Sequence, residues 1–588
     1  MPASPPAAPP PAPPPDASPP AAYFDLPPFV LWPAALLLLV LGAFFLTGLI
    51  STLLQPVDPG ATAHVPLAGA WALTWHSVVF SLLAATLSTG LALPAALHLR
   101  ARPPSRSLLI ALAAGFAAVP WIVSATGWSQ SHSLFGAWGH EFEQMVKTPT
   151  DAMEPVRLCI AAVMQGCMGL PLAVLMLATL MPHLTHEEEA ALLVGNRWQV
   201  FLSITWPECF LPTLASFAVL LLWHFNELNV CDLMRVNTWS TRVFITTAGL
   251  SPPLAMREYS VMAVINGIGA MVLLFALVRV ARRRSVERLD FDPARAPALR
   301  LPTWLAVLGW TVVLGLGCAW PFVVLVARLG IGPHLDVAHV FATVKDATGW
   351  WLQGVEVSFA SGVLAMLGGL ALGLLCLSTE ALFRRSAYGL AVLFLALSSI
   401  GISLPLKNLA QHMTAFLILD RLRDAHFYDV LACACRALPW CMMLTVWHLY
   451  ALPRRFDEAA RAEGAGPSEV FLEVLLPYLR PLILPAFFVG FALASLDLVP
   501  AVLLSPPGRQ TLIVTLFNEL HYDYNASLVV LALMLALPFP VLAVPIVWSF
   551  RRRLSDESPP GPPTRPEDGT AAITDDWSSS NRGPGDSA

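Results

Sequence analysis

The residues most able to do chemistry in this sequence are few, and the clearest group is a run of cysteines. Cys433, Cys435 and Cys441 lie together in an apolar stretch, where thiolates can bind a soft metal ion, but their spacing is not that of a zinc site. Free cysteine in such a stretch packs as a small hydrophobic side chain. All nine cysteines fall in or beside apolar segments, so we predict helix packing for them, without a metal site or a disulfide framework.

A second candidate metal group shares one polar stretch and consists of His132, His140, Glu141 and Glu143. Imidazole and carboxylate groups bind divalent cations, but exposed loops commonly carry such residues, and we predict an ordinary loop. No lysine follows a Gly-x4-Gly phosphate loop, and no His-Glu-x-x-His or serine-elbow motif occurs. The sequence therefore predicts no catalytic residue, no metal, no cofactor and no ATP site in this chain.

The composition indicates a membrane protein. Hydrophobic residues make up 56% of 588 positions and charged residues 12%, whereas a soluble domain carries roughly 25% charged residues. No stretch shows the alternation that is typical of a barrel strand. We therefore predict an all-α transmembrane protein in the lipid bilayer, and the lack of a basic stripe argues against nucleic acid as a partner.

A spanning helix needs about 20 mostly apolar residues, and twelve stretches qualify: 29–54, 71–98, 107–129, 156–181, 208–232, 259–281, 303–329, 350–378, 386–411, 428–452, 481–505 and 526–550. Arginines concentrate beside alternate helix ends, as at Arg282–Arg284 and Arg551–Arg553. Because positively charged loop residues are retained in the cytoplasm, this pattern places both termini on the cytoplasmic side.

The ends and the middle of the chain differ in composition from the rest. Residues 1–28 are dominated by Pro, Ala and Ser, and residues 551–588 are polar and rich in Pro and Gly, so both are predicted to be disordered cytoplasmic tails. Residues 282–302 are charged and form a cytoplasmic linker. The chain thus divides into two domains of six helices each, at 29–281 and 303–550.

The two domains repeat one another at a single offset of 270 residues. Pro207 falls on Pro477, and Glu227 falls on Asp497. One ungapped offset that links proline and polar positions over some fifty residues is more than leucine-rich sequence gives by chance. Because each half has six spans, the repeat keeps its membrane orientation and is parallel rather than inverted.

The segment 456–477, between the fourth and fifth spans of the second half, is too polar to cross a membrane. Asp457 can cap a helix that begins at Glu458. Gly464 then permits a break, and Pro467 starts a second short helix. Such a segment is either a plain connecting loop or a rigid pair of short surface helices on which a soluble partner docks.

This segment resembles the EAA motif of ABC importer permeases at each spacing, through Glu458, Ala459, Ala460, Gly464, Val474, Leu476 and Pro477. The resemblance implies the type I ABC importer permease fold, with two parallel six-helix repeats, in the bacterial inner (plasma) membrane. It also implies two copies of an ABC ATPase subunit and a periplasmic substrate-binding protein as partners. In that family the motif forms the coupling helix at the ATPase contact, where we expect the same residues of this chain to lie.

The first half carries a degraded copy of the motif. In the 270-residue register Glu188, Glu189 and Ala190 take the Glu-Ala-Ala places, Gly195 comes one residue late, and Pro207 matches Pro477. The resemblance implies ATPase coupling for these residues as well. The departure from the motif leaves open whether the two loops couple equally.

Glu227 and Asp497 are acids at equivalent positions near the end of each fifth span. They lie about 20 residues beyond a cytoplasmic proline, which at about 1.5 Å per residue places them near the outer membrane face. Ionisable groups within spans usually face a cavity, whereas acids near an interface can also reach water directly. We retain the pair as candidate gate residues, with the snorkelling acid as the alternative.

Further residues of the second half resemble permeases of the iron(III) type, among which fused two-domain forms are common: Asp497-Leu498, Pro506-Pro507-Gly508 and Thr511-Leu512. This resemblance implies ferric iron as the cargo, with thiamine, phosphonate or polyamine as alternatives. An ion-coupled secondary transporter is a different class that more often has inverted repeats and charged groups at mid-membrane. A membrane-embedded enzyme would need clustered catalytic residues.

Overall fold

The computed structural model describes residues 24–54, 67–100, 105–131, 141, 144–145, 151–181, 185–249, 252–287, 302–331, 337–412, 425–449, 452, 459–506, 508–522 and 526–544. Within these ranges the chain forms helices and, apart from one isolated backbone bridge, no strand pairing. The predicted all-α transmembrane class is confirmed.

Seven of the described helices are long and apolar enough to cross a membrane: Gly69–Arg100, Arg197–Phe225, Thr303–Arg328, Val340–Cys376, Phe427–Leu449, Pro467–Leu496 and Ser527–Val544. Ten spans are reached when three bent helix pairs each count as one. Helices Pro28–Leu54 and Pro252–Glu287 have 27 and 36 residues, more than the about 20 that a span needs. By length and composition the described residues support seven to ten spans, and the count of twelve stays a prediction.

Three of the predicted spans, 107–129, 156–181 and 386–411, each consist of two helices joined at a bend. The sharpest bends join Arg106–Ala117 to Trp121–Gln130, at 84°, and Ala381–Ala396 to Ser399–Gln411, at 98°. The first bend falls at Pro120 and the second at Leu397, both in extended geometry with ψ of 127° and 126°. Proline lacks an amide hydrogen and breaks a helix, whereas no such residue marked the second bend.

The predicted fifth spans, 208–232 and 481–505, are wrong at both ends. The helices begin earlier, at Arg197 and Pro467, and they end at Phe225 and Leu496. Separate short helices follow at Asn229–Leu233 and Leu498–Leu504. The apolar residues of these short helices continue the hydropathy pattern past the ends of the long helices. Glu227 and Asp497 lie between the long and the short helix in each half.

Local conformation repeats at the same 270-residue offset as the sequence. Helix Arg197–Val200 continues into a π-helical turn at Phe201–Thr205, and helix Pro467–Val470 continues into one at Phe471–Leu475. A π-helical turn is a rare local departure from the α-helix. Its occurrence in one register in both halves therefore marks them as structurally equivalent here.

The first helix of each predicted half packs on the other half. Pro28–Leu54 packs against Val337–Cys376 and Ser399–His412, while the helix beginning at Thr303 packs against Leu67–Arg100. Glycine makes the second contact close, because a Cβ on Gly309 would lie 2.9 Å from the backbone nitrogen of Ala95. The exchange of helices ties the two halves into one bundle.

Residues 24–27, which the sequence analysis assigned to the N-terminal tail, have a defined contact. The Phe24 amide donates to the carbonyl oxygen of Leu377 at 2.8 Å, and the Thr379 amide donates to the carbonyl oxygen of Phe24 at 3.2 Å. The remainder of that tail, the C-terminal tail and most of the linker lie outside the described residues. The chain is thereby fixed just before its first helix.

The close approach at Gly309 predicts a matched pair of glycine variants. Gly309→Ala should lower the midpoint of thermal unfolding, because an added methyl in a packed contact costs about 1–3 kcal/mol. Gly315→Ala, where nothing lies within 4 Å of the added Cβ, should leave the midpoint unchanged or raise it. The measurement is size-exclusion chromatography after stepwise heating in detergent, and equal midpoints would contradict the helix exchange.

Candidate functional site

Two regions contain the predicted site residues. The first is the loop face, which we define as the exposed surface of residues 187–199 and 459–469. The second is the acidic interface, which we define as Glu227, Asp497 and the residues around them.

In the second half, the loop face contains a helix that ends at Gly464. The Ala465 amide donates to the Ala460 carbonyl and the Gly464 amide donates to the Arg461 carbonyl, both at 3.0 Å. Gly464 itself has φ of +88°. This pair of hydrogen bonds around a left-handed glycine is the Schellman termination, so the predicted break at Gly464 is present.

A second short helix, Pro467–Val470, follows as predicted, and the Gly466 amide donates to Glu469 Oε2 at 2.8 Å. Ala459 and Gly464 are exposed and Ala460 is half-buried. Pro477 lies exposed at the start of the long helix that follows the π-helical turn. Asp457 and Glu458 lie outside the described residues, so the predicted helix cap does too.

The first half builds its loop differently. Helix Thr185–Leu192 is followed by a cap at Asn196, whose side chain accepts from the Gln199 amide at 2.9 Å while Gln199 Oε1 accepts from the Asn196 amide at 3.1 Å. Gly195 does not have a positive φ. The left-handed ending of the second loop is therefore not repeated, in keeping with valine at position 194, where the motif has glycine.

Glu188 is fully buried, although the sequence analysis placed it at a partner contact. Its Oε1 accepts from Arg100 Nη2 and from Thr205 Oγ1, each at 2.7 Å. Arg100 is itself only 3% exposed. The Arg100–Glu188 pair fixes the short helix to the end of helix Leu67–Arg100, so Glu188 positions the loop and does not present its carboxylate to a partner.

The surface around Glu188 is open and largely apolar. Glu189, Ala190 and Pro207 are exposed, and Gly195 is half-buried. Leu193, Val194 and Trp198 are 88%, 93% and 67% exposed. Apolar side chains that stand together in this way commonly mark a protein-binding surface. The equivalent part of the second half is more polar, with exposed Arg461 and Glu463.

The N-terminal segment reaches the second loop through an ion pair. Arg461 Nη1 donates to Asp25 Oδ2 at 2.7 Å. A hydrogen bond from the Thr379 side chain, followed by the one from Arg461, lowers the pKa of Asp25 below its ordinary value. The carboxylate is therefore ionised at neutral pH, and since both partners are about two-fifths exposed, the pair is worth little energetically.

At the acidic interface, Asp497 is 4% exposed and accepts from Arg436 Nη1 at 2.8 Å and from the Ser399 hydroxyl. Glu227 is 7% exposed, and its Oε1 accepts from the Asn229 amide at 2.8 Å. Both acids line one pocket. The structure thus brings together two residues that the sequence placed 270 positions apart.

The pocket lies where the two halves meet. Trp223 of the first half lies under the Arg436 guanidinium, 5.4 Å from carbon to ring centroid, and packs edge-on against Trp440 at 5.6 Å. Trp121 contacts Trp223 from the other side at 5.5 Å. A cation held between a carboxylate and an aromatic face is stabilised by both, so Arg436 links the halves.

The two candidate metal groups are described to different extents. Cys433, Cys435 and Cys441 are buried with free thiols, and Cys441 donates to the Ala486 carbonyl. Among the described residues no three His, Cys, Asp or Glu side chains group as metal ligands. Of the polar-stretch group only Glu141 is described, and it is exposed.

The sequence analysis missed two functional arginines. Arg436 lies within an apolar helix and pairs with Asp497, and Arg100 pairs with Glu188. An arginine within a predicted span is costly unless it is paired, and that signal at Arg436 could have identified it. Arg100 lies at a helix end, where an arginine also fits the positive-inside pattern.

Comparison with known proteins finds similarity in part of the second half. Residues 365–556 match the family of the binding-protein-dependent transport system inner membrane component. No solved structure matches the chain.

Curated relatives match over short segments. The putrescine transport system permease protein PotI of Escherichia coli K12 is 34% identical over 15% of this chain and 31% of its own length. A putative ABC transporter permease of Streptomyces antibioticus is 36% identical over 17% and 45%, and the trehalose/maltose transport system permease protein MalF of Thermococcus litoralis is 28% identical over 22% and 46%. The chain spans less than half the length of each of these relatives.

The buried ion pair predicts a contrast between neighbouring glutamates. Glu188→Ala leaves the buried Arg100 without its carboxylate, which costs about 3–5 kcal/mol for a buried pair, and should release the short helix to proteases. Glu189→Ala, at an exposed position, should leave both stability and cleavage unchanged. Limited proteolysis and thermal unfolding of the purified variants test this, and identical behaviour would show that the pair does not anchor the loop.

Proposed function

We propose that this chain is the complete membrane-spanning part of an ABC importer, formed by two permease domains within one polypeptide. The observation that carries the proposal is the second loop, where a Gly464-terminated helix precedes Pro467 inside the family-matched segment 365–556. The chain itself would not hydrolyse ATP, and a separate ATPase would supply that step in the bacterial inner membrane, with both termini cytoplasmic.

The division into domains at 29–281 and 303–550 rests on the repeat. Helix starts, π-helical turns and the breaks after the fifth spans recur at the 270-residue offset. A parallel repeat supplies two equivalent loops on one side of the membrane, and two copies of an ATPase subunit could each dock on one of them. This organisation distinguishes the proposal from an ion-coupled secondary transporter, for which inverted repeats are more common.

The loop face is the proposed ATPase contact. In the second half this contact consists of the exposed Ala459 and Gly464 with the half-buried Ala460. In the first half it consists of Glu189 and Ala190 with the exposed apolar side chains of Leu193, Val194 and Trp198. Glu188 contributes by anchoring the first loop to Arg100. Since the two parts of the loop face differ in polarity, we propose that they contribute unequally to binding of the ATPase.

The acidic interface is the proposed gate. Asp497 and Glu227 lie in one pocket between the halves and at the breaks of equivalent helices. Rocking of two halves about their interface is a common form of transporter gating, and it would separate Arg436 from Trp223. A periplasmic binding protein would deliver cargo to the opposite side of the bundle from the loop face.

Two observations bear on the identity of the proposed cargo. The resemblance around Asp497-Leu498 favours ferric iron, carried as substrate and not as a resident metal. The relative named for putrescine transport supports the polyamine alternative. Elemental analysis and mass spectrometry of a co-purified binding protein would decide between them.

Variants at Gly464 test the coupling proposal. Gly464→Asp places a side chain where φ is +88°, a conformation that disfavours residues with a Cβ, and should abolish co-purification of the ATPase and uptake, at normal expression. Asparagine and aspartate both tolerate this region better than most residues, so Gly464→Asn removes the added charge and should retain more of both. Gly508→Asp, at a glycine with φ of +79° outside the loop face, is the matched control and should leave co-purification of the ATPase near wild type.

The readout is a mild-detergent pull-down of the tagged chain with mass spectrometry of its partners. Recovery of an ABC ATPase at two copies per chain with the wild type, and its loss with Gly464→Asp, is the expected result. Absence of any ATPase under conditions that preserve other membrane complexes would move the assignment to a secondary transporter.

Charge-removing variants test the gate. Glu227→Gln with Asp497→Asn should strongly reduce uptake while ATPase binding persists. Asp497→Asn alone leaves Arg436 without its carboxylate and should lower protein abundance, whereas adding Arg436→Gln should restore abundance but not uptake. Wild-type uptake in the double acid variant would mean that Glu227 and Asp497 have no role in gating.

A further inference from the structure

A cavity inside the second half contains a carboxylate oxygen that lacks a hydrogen-bond partner. The cavity has a volume of about 50 Å³, several times the roughly 10–15 Å³ that one water molecule needs. Its walls come from helices Val337–Cys376, Phe427–Leu449, Pro467–Leu496 and Leu512–Tyr522, together with residues 535–539. All belong to the second half, so this cavity is separate from the pocket between the halves, although Asp497 borders both.

The carboxylate belongs to Asp429, which is 1% exposed. Its Oδ2 contacts His426 Nδ1 at 2.9 Å and accepts from the Ser505 hydroxyl at 3.1 Å, whereas Oδ1 has no partner. Thr511, 4% exposed, lines the same cavity, and its Oγ1 also has no partner. Buried polar atoms are nearly always hydrogen-bonded, so two unpaired acceptors at one cavity indicate a missing donor.

The local backbone holds Asp429 in this position. His426 has φ of +58°, a conformation that is uncommon for a residue with a side chain, and its ring lies against Asp429 at the start of helix Phe427–Leu449. The contact between His426 Nδ1 and Asp429 Oδ2 occupies one carboxyl oxygen, which leaves Oδ1 for a ligand. The cavity therefore offers two acceptors, Asp429 Oδ1 and Thr511 Oγ1.

The remaining walls identify the chemical class of the ligand. They are mainly apolar and include the aromatic rings of Trp351, Phe491 and Phe539. Divalent metal ions require several ligands, and among the described residues no three His, Cys, Asp or Glu side chains group as metal ligands. An ammonium group needs only a few acceptors and is attracted to aromatic faces, while a short alkyl chain suits the apolar surface.

We propose that this cavity binds a small organic cation that carries a primary ammonium group. The ammonium donates hydrogen bonds to Asp429 Oδ1 and Thr511 Oγ1, and its alkyl part packs between the aromatic walls. The site requires only the second half of the chain and does not depend on an ATPase partner, so it stands or falls separately from the proposed function.

Gly354 provides a way to close the cavity without altering the carboxylate. It lines the wall, and a Cβ there would meet only the Thr511 Cβ, at 3.8 Å. Gly354→Leu therefore fills the cavity and leaves Asp429 and His426 in place. Gly349 on the same helix has nothing within 4 Å of an added Cβ, which makes Gly349→Leu the matched control.

The experiment is isothermal titration calorimetry of the purified full-length chain in lipid nanodiscs, with n-butylammonium chloride as the probe. Saturable binding is expected for the wild type and Gly349→Leu. Asp429→Asn and Gly354→Leu should each weaken it about tenfold or more, as removal of a buried charge partner does. Thermal unfolding of each variant verifies folding, and Gly354→Leu keeps the test valid where Asp429→Asn is unstable.

Three results would overturn the proposal. Equal binding of 1-butanol, which matches the probe in length but is neutral, would show a purely apolar cavity. No binding of butylammonium would show that water satisfies the unpaired atoms. Undiminished binding by a folded Gly354→Leu would place the amine elsewhere.

Discussion

The pairing of charged side chains within an apolar helical bundle is the constraint on which the rest of this structure depends. An arginine that is removed from water is costly unless an acid or other hydrogen-bond acceptors lie beside it. Arg100 is held in this way by Glu188, and Arg436 by Asp497. The first pair fastens a loop to the end of a spanning helix, and the second fastens a helix break to the interface between the halves. The proposed ATPase contact in the first half and the proposed gate are thus each positioned by an ion pair.

The two halves share a backbone plan but differ in their buried chemistry. In the first half, His224 lies between Ser88 and Gln165 at 3.3 and 3.0 Å; 270 residues later, alanine stands in place of the histidine and cysteine in place of the glutamine. The second half instead contains Asp429 in a cavity. Its loop also ends at a left-handed glycine, which the first loop lacks. Two repeats within one chain can diverge in this way, because each half occurs once and only one of them must retain a given contact.

The sequence predicted the helical class, the repeat and the break at Gly464, because apolar length, proline and glycine act locally. The count of twelve spans stays a prediction, since the described residues show seven to ten. It did not predict the bend at Leu397 or the ends of the helices at Phe225 and Leu496, since the apolar residues beyond them continue the same pattern. It placed Glu188 on a surface because the motif identifies the residue but not its partner, Arg100, which lies 88 positions away. The repeat predicted that Glu227 and Asp497 occupy equivalent positions. The ion pair of Asp497 with Arg436 and the packing of Arg436 on Trp223 depend on contacts between helices, which the sequence does not show.

The central claim is that the two halves form one pore whose loops move relative to one another when ATP binds. Spin labels at Ser203→Cys and Glu473→Cys report the distance between the segments that follow the two loops once the exposed Cys159 is replaced by alanine. Both positions are exposed and lie outside the loop face. Double electron–electron resonance of the complex with its ATPase should show one distance without nucleotide and a shorter one with ATP trapped. An unchanged distance distribution, in a complex shown to hydrolyse ATP, would contradict the account.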